Sequence, residues 1–217
     1  MLKVMNNNLQ LAISSWAESD SAPDTDPGSR FWHGTAPIYL TANSYGKEVP
    51  GHRTEVRSRW TSENLYFLFL CPYEQLHLRP DPLLTAKTWE LWNWDVAEIF
   101  IGSHSDPIHR YKEFEMSPQS EWLDLDIDLH QPDKIADHAW SSGFQVEARV
   151  EAEENIWYAF MRIPYASVES GPAAAGNELR INFFRSQGPI PLELAWQAPQ
   201  QASFHAPEKF GTLQLVL

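Results

Sequence analysis

The chain has 217 residues, of which 43% are hydrophobic and 21% are charged, a composition typical of a folded globular protein. Its formal net charge of −13 excludes nucleic acid and anionic membrane surfaces as favoured partners, because an acidic surface repels phosphate. Neutral or cationic ligands are therefore expected.

The amino-terminal stretch shows no export pattern. Residues 1–16 lack an apolar run followed by a small-residue cleavage site, as a signal peptide would have. No apolar run is long enough to span a bilayer. We therefore expect a cytoplasmic protein or the mature form of a secreted one, and both alternatives stay open. Residues 1–30 are predicted to be an extension that ends in a polar, turn-rich loop over residues 19–30.

From residue 54 onward, short runs of β-branched and aromatic residues alternate with turn residues, which predicts a succession of strands. Residues 54–60 and 65–71 predict one hairpin, and residues 144–151 and 156–163 predict another. Further strands are predicted at residues 96–102, 111–117, 121–129, 178–185, 192–198 and 211–217. The pattern predicts one all-β domain over the whole chain, an antiparallel β-sandwich of jelly-roll or immunoglobulin-like type.

Helical pattern is scarce, and only residues 164–170 predict one turn.

Cys71 is the only cysteine, which excludes an internal disulfide. It lies in an apolar run, so we interpret it as an inert buried thiol. The tryptophans expected in the core are Trp32, Trp60, Trp157 and Trp196.

Paired carboxylates are the first candidates for chemistry. Glu98 and Glu115 fall in neighbouring predicted strands, where they could act as the acid and base or nucleophile of a glycoside hydrolase or accessory subunit. Strands often carry glutamate on a solvent-facing side, so an enzyme is the less favoured alternative. The chain has no zinc-type histidine spacing, no glycine-rich phosphate loop and no GxSxG motif.

The predicted strand at residues 121–129 alternates aspartate with apolar residues, which places Asp124, Asp126 and Asp128 on one face. Such a face could hold calcium through carboxylate oxygens, but the spacing is not that of a recognised calcium loop. We interpret these aspartates as a solvated strand face.

The stretch WELWNWDVAEIF, residues 89–100, concentrates three tryptophans beside two carboxylates. Aromatic faces cover the C–H patch of a sugar ring, and carboxylates accept hydrogen bonds from its hydroxyls. If the segment is extended, Trp92, Trp94 and Glu98 share one face. If it is a loop or a helical turn, Trp89 and Trp92 come together instead. Both alternatives favour a sugar-binding site.

Five stretches taken together resemble the family 9 carbohydrate-binding modules: RTEVRSRWTSENLYFLFLC, WNWDVAEIFIG, YKEFEMSP, LRINFFRSQ and FHAPEKFGTLQL. The similarity runs from about Phe31 to Leu217. It implies a β-sandwich that binds sugar without catalysis and is often attached to xylanases or other enzymes that act on plant polysaccharides. It also implies that a terminal sugar lies between two aromatic rings and that calcium ions have a structural role.

Position by position, the resemblance implies that Trp92 is the first stacking ring and that Glu98 accepts hydrogen bonds from sugar hydroxyls. Phe204 stands where the family usually has the second ring, a tryptophan. Its smaller face and missing N–H predict weaker stacking. Glu115 stands where the characterised binders have a basic residue.

Three more residues complete the predicted site. Asn182 and Arg185 are predicted as rim groups that hold hydroxyls, with a structural hydrogen bond or ion pair as the alternative. Trp94 is predicted to extend the aromatic platform. The predicted ligand is a glycan of xylan or glucan type, and association with glycoside hydrolases is expected. A third alternative is a sandwich that has lost sugar binding and contacts other proteins through exposed aromatic side chains.

Overall fold

The computed structural model describes residues 10–131, 136–190 and 192–217, and these ranges form an all-β structure. Its strands are β1 Leu11–Trp16, β2 Ile38–Leu40, β3 Thr54–Trp60, β4 Asn64–Pro72, β5 Val96–Ser103, β6 Arg110–Met116, β7 Trp122–Asp128, β8 Ala136–Asp137, β9 Gln145–Glu151, β10 Ile156–Pro164, β11 Glu178–Ser186, β12 Leu194–Ala195 and β13 Gly211–Val216. Three short 3₁₀ turns lie between strands, at Leu91–Asn93, Tyr165–Ser167 and Pro207–Lys209. Within these ranges, no helix has the length and apolar character needed to cross a membrane.

Every run predicted to be a strand contains one, although the run at residues 192–198 forms only the two-residue β12. Both hairpins are confirmed, because β3 pairs with β4 and β9 pairs with β10 in antiparallel register. The helical turn predicted within residues 164–170 is the 3₁₀ turn Tyr165–Ser167. The short strands β1, β2 and β8 were not predicted.

The hydrogen-bonded strands follow the order β8-β7-β6-β5-β11-β13-β1-β3-β4-β10-β9. Neighbours along this path are antiparallel except at β1, which pairs in parallel with both β13 and β3. We call β8, β7, β6, β5 and β11 the first limb of the sheet, and β3, β4, β10 and β9 the second limb. The strands β13 and β1 lie between the two limbs and join them. The predicted amino-terminal extension therefore supplies a strand of the sheet, while residues 1–9 lie outside the described residues.

The two limbs pack face to face around the main core. Phe183 of β11 contacts Phe67 and Phe69 of β4, with ring centroids 5.7 and 6.0 Å apart. This is the layering of a β-sandwich, in which inner faces of two sheets share one core. Its assignment to a jelly-roll or immunoglobulin-like topology stays a prediction.

All four tryptophans expected in the core are buried. The main core contains Trp60, Trp157 and Trp196. Trp32 lies in a smaller apolar cluster on the outer face of the second limb. Cys71 is also buried, and burial raises the pKa of its thiol to about 12, as expected for an inert side chain. The predicted loop over residues 19–30 is a loop, and Asp24 within it accepts a hydrogen bond of 2.9 Å from the Trp32 indole.

The aspartates of β7 do not form a solvated face. Asp124 is 1% exposed, points toward the side of the main core and accepts hydrogen bonds of 2.7 Å from the backbone and hydroxyl of Ser142. Its carboxylate also pairs with Lys87 at 2.7 Å. Asp126 and Asp128 are half-buried, and each pairs with a basic side chain of β6. The interpretation was therefore wrong for Asp124, because the strand buries this side chain, whereas the side chain of Asp126 is 41% exposed.

A substitution at Gly211, the first residue of β13, tests how closely that strand is packed. A Cβ at this position would lie 2.5 Å from a ring carbon of Trp196 and 2.7 Å from the carbonyl oxygen of Gln10. We expect Gly211→Ala to lower the free energy of unfolding by about 1–3 kcal/mol, because the added methyl group overpacks the site. Urea unfolding followed by tryptophan fluorescence measures this change.

Gly171→Ala is the matched control, since a Cβ there meets no atom within 4 Å. It should change the free energy of unfolding by less than about 0.5 kcal/mol. Equal stability of the two variants would contradict the close contact between β13 and Trp196.

Candidate functional site

The candidate site is a cleft of about 610 Å³ on the outer face of the first limb. Glu98 of β5 pairs directly across the strands with Glu115 of β6, and Phe184 of β11 is the partner of Glu98 on its other side. Because side chains two residues apart share a face, Glu113 lies beside Glu115 on the floor. Apolar side chains complete the floor: Phe100, Leu125 and Ile127.

Trp92 enters the cleft from the 3₁₀ turn Leu91–Asn93, just before β5. The turn brings Trp92 against Trp89 in an edge-to-face contact, with ring centroids 4.7 Å apart. The helical-turn alternative for this segment is therefore confirmed. Trp89 is 47% exposed and stacks on His138 at 3.7 Å, and both side chains line the cleft.

Trp94 is not among the described residues that line the cleft. Its ring packs against His77 instead, with centroids 4.6 Å apart. The prediction that Trp94 extends the platform required an extended segment. The 3₁₀ turn changes the direction of the chain, so Trp92 and Trp94 no longer share a face.

Phe204 lines the cleft from the loop between β12 and the third 3₁₀ turn. Its ring stacks almost parallel on Phe184, with centroids 4.2 Å apart and an interplanar angle of 13°. The next residue fixes the loop further, because Nδ1 of His205 lies 2.5 Å from the hydroxyl of Tyr111. The Phe204 ring is thus held in place by the sheet beneath it.

The three glutamates on the floor are almost inaccessible, with Glu98, Glu113 and Glu115 only 2%, 4% and 0% exposed. One carboxylate oxygen from each lies within 4.8 Å of the others. Burial and then repulsion from neighbouring glutamates raise the pKa of both Glu98 and Glu115 well above the usual value. Ser186 donates a hydrogen bond of 3.3 Å to Glu98, and this bond favours the charged form of the Glu98 carboxyl.

Asn182 and Arg185, predicted as rim groups, are fully buried and are not among the described residues that line the cleft. Arg185 lies on the face of β11 opposite the cleft and donates hydrogen bonds to Thr54 at 3.0 Å and Gln187 at 2.6 Å. Asn182 shares the face of the cleft, but its amide exchanges two hydrogen bonds with the backbone of Gln197. The alternative of structural hydrogen bonds therefore describes both residues.

Sequence reasoning missed Glu113, Glu193 and His138 as residues of the cleft. The position of Glu113 two residues before Glu115 could have revealed it, because a strand repeats its faces every two residues. Glu193 and His138 belong to distant segments that the fold brings to the cleft.

A second cavity of about 730 Å³ adjoins the cleft. Its floor carries the ion pairs of β6 with β7, in which Lys112 meets Asp126 and Arg110 meets Asp128. These charges compensate one another, and Tyr111 is the only tryptophan, tyrosine or phenylalanine among its described lining residues. The cleft that contains Trp92 is therefore the better candidate for a ligand site.

The fold and the cleft together define an all-β domain with an aromatic, acidic cleft on one sheet face. A family model described as "Carbohydrate family 9 binding domain-like" matches residues 27–217. The chain belongs to this carbohydrate-binding family 9, as its sequence motifs predicted.

Two curated proteins are similar to this chain in sequence. An "Extracellular protein" of Arthroderma benhamiae is 27% identical over 194 residues, which cover 80% of this chain and 85% of that protein. Endo-1,4-beta-xylanase A of Thermotoga neapolitana is 22% identical over 186 residues. The match covers 85% of this chain but only 16% of the xylanase.

Solved structures share the fold. A candidate carbohydrate-binding protein of Bacteroides uniformis superposes with a TM-score of 0.75 at 16% identity, over 96% of this chain and 100% of that one. A family 9 module from Caldicellulosiruptor kristjanssonii in complex with cellotriose gives a TM-score of 0.67 at 12% identity, over 95% of this chain and 94% of that one. A family 9 module from the same organism in complex with glucose gives a TM-score of 0.66 at 12% identity, over 95% of each chain.

The interior position of Arg185 can be tested by truncation. We expect Arg185→Ala to lower the free energy of unfolding by about 2–4 kcal/mol, because it leaves a cavity and removes the hydrogen-bond partner of Thr54 and Gln187. Arg30→Ala, at an exposed position, should change it by less than about 0.5 kcal/mol. Urea unfolding measures both. If the Arg185→Ala protein has wild-type stability but fails to bind ligand, Arg185 contacts the ligand as the sequence predicted.

Proposed function

We propose that this protein binds carbohydrate in the cleft without catalysis, and that its ligand is a plant polysaccharide chain of glucan or xylan type. The observation that carries the proposal is the combination of two aromatic rings, Trp92 and Phe204, with buried glutamates in one cleft. A pyranose ring needs both groups: an aromatic face for its C–H patch and polar atoms for its hydroxyls.

The two rings are held before any ligand arrives. Trp92 is fixed by its contact with Trp89, and Phe204 by its stacking on Phe184. A ring that is already oriented loses little conformational entropy on binding, which favours affinity. In the proposal both rings stack on the sugar, and Glu98, anchored by Ser186, accepts hydrogen bonds from its hydroxyls.

The relatives support this ligand class. Family 9 modules from Caldicellulosiruptor kristjanssonii have been solved in complex with cellotriose and with glucose. The Thermotoga neapolitana relative is an endo-1,4-beta-xylanase, of which the matching part is a small fraction. By analogy, we propose that the domain acts with a glycoside hydrolase, attached to it or associated with it. In the proposal the sandwich is one binding domain over the whole chain.

The alternative of hydrolysis by Glu98 and Glu115 is less favoured by the geometry. A glycosidase places its two carboxyl groups on either side of the bond that it breaks. Here Glu98 and Glu115 are direct neighbours on one floor, and their oxygens lie within 4.8 Å of each other. Two adjacent side chains on one floor do not flank a bond, and Glu115 is 0% exposed, so a sugar chain in the cleft does not reach it.

The proposal predicts that Trp92→Ala weakens binding of cello- or xylo-oligosaccharides by about tenfold or more, because the principal stacking face is removed. Trp94→Ala is the matched control: it removes the same ring two residues away and outside the cleft, so affinity should not change. Isothermal titration calorimetry measures both, with circular dichroism to confirm folding.

Other outcomes would reject parts of the proposal. Equal affinity of the Trp92→Ala and wild-type proteins would place the sugar elsewhere. Release of reducing sugar that disappears in Glu98→Gln would establish the hydrolase alternative. A folded wild-type protein that binds none of these sugars but dimerises with increasing concentration would favour the role in protein contacts.

A further inference from the structure

The floor of the cleft brings together three carboxyl groups, and no lysine or arginine among the described lining residues compensates them. Glu98, Glu113 and Glu115 bring one oxygen each to within 4.8 Å of the others, and none is more than 4% exposed. Their positions follow from the strand register, so the cluster is built into the sheet rather than into a mobile loop. Three carboxylates in such a volume repel one another strongly unless a cation or protons lie between them.

Several of these oxygens are unpartnered. Both carboxylate oxygens of Glu115 and one oxygen of Glu113 are buried and lack a hydrogen-bond partner. Buried polar atoms almost always have a partner, and a buried charge without one is strongly disfavoured. Among the described residues that line the cleft there is no lysine or arginine. Of its two histidines, His205 already contacts a tyrosine hydroxyl and His138 stacks on an indole.

We propose that Glu98, Glu113 and Glu115 bind a divalent cation of the calcium type on the floor of the cleft. An ion at the usual calcium–oxygen distance of about 2.4 Å from two ligands holds them up to about 4.8 Å apart. One oxygen of each of the three glutamates lies within this limit of the others, so a single ion can contact all three. A ligand set made only of carboxylate oxygens suits calcium, magnesium or manganese and not the softer metals, which prefer nitrogen or sulfur.

The cation would also take part in binding the ligand. Calcium takes about six to eight oxygen ligands, so three glutamates leave positions that face the open cleft. Neighbouring hydroxyls of a sugar ring could occupy two of them. This second part of the inference rests on the proposed carbohydrate-binding function, whereas the cation site itself does not.

An ammonium group on an amino sugar is the competing occupant. It would also accept three carboxylate partners, but a single positive charge leaves the cluster with more negative charge than a divalent ion does. The charge balance therefore favours the metal ion, and the experiment separates the two.

The first measurement uses terbium, which replaces calcium at oxygen sites and emits when a nearby indole is excited. Trp89 and Trp92 line the same cleft and would sensitise the emission. In protein stripped with EDTA, we expect saturable terbium emission that calcium displaces. Glu115→Gln should weaken terbium binding by about tenfold or more, because it removes one ligand charge. Glu147→Gln, an exposed glutamate on β9, is the matched control and should bind as the wild type does.

Thermal unfolding provides a second readout. Calcium should raise the unfolding temperature of the wild-type protein and not that of Glu115→Gln, since a ligand that binds only the folded state stabilises it. In EDTA, Glu115→Gln should unfold at the same or a higher temperature than the wild type, because it relieves repulsion on the floor. If this variant does not fold, Glu113→Gln serves in its place.

Two results would overturn the cation site. The first is the absence of both terbium emission and a calcium effect on unfolding in the wild-type protein. The second is wild-type terbium affinity in a folded Glu115→Gln variant, because the ion would then bind elsewhere. Binding of glucosamine oligomers in EDTA, lost in Glu115→Gln and with no binding of either metal, would assign the cluster to an ammonium group.

Sugar-binding measurements distinguish failure of the cation site from failure of the proposed carbohydrate-binding function. Cello-oligosaccharide affinity should be higher in calcium than in EDTA, and the Trp92→Ala variant should lose the sugar but keep terbium. Terbium binding without any sugar binding would reject the proposed function and leave the cation site standing. Equal sugar affinity in calcium and in EDTA would reject the coordination of sugar by the ion.

Discussion

The structure depends on β5 being buried on both faces. Ala97, Ile99 and Ile101 point into the main core between the limbs, whereas Val96, Glu98 and Phe100 point toward the cleft. Because strand side chains alternate, a shift of one residue in register would place a glutamate in the apolar core. The eight residue positions of this strand are all buried, so the register that secures the core also fixes the carboxylates of the cleft.

The strands and part of the site could be predicted because they depend on local pattern. Alternation and turn residues located the long strands, and the residues Trp92, Glu98 and Phe204 all line the cleft. Arg185 was placed incorrectly because β11 is buried on both faces, so its sequence does not show which side chains face the cleft. Strand β1 was missed because its parallel partners lie far away along the chain. The direction of Trp94 depends on a single 3₁₀ turn.

Glu115 gives this cleft its particular chemistry. At a position where the family resemblance predicts a basic residue, this chain places a buried carboxyl group beside two others. A basic side chain there would favour the charged form of Glu98, whereas Glu115 is itself a carboxyl group whose pKa is raised by burial and then by Glu98 and Glu113. In the proposed binding mode, the aromatic rings stack on the sugar ring, and the glutamates of the floor bind a cation. These two features together distinguish the proposed binding mode from stacking alone.

A crystal structure of the protein grown with cellotriose and calcium is the measurement that tests this account most directly. The account predicts a sugar ring against Trp92 and Phe204, with a cation among Glu98, Glu113 and Glu115 in contact with sugar hydroxyls. A sugar bound outside the cleft would contradict the proposed site. A sugar in the cleft over a floor without a cation, in crystals that contain calcium in excess, would contradict the role of the metal ion.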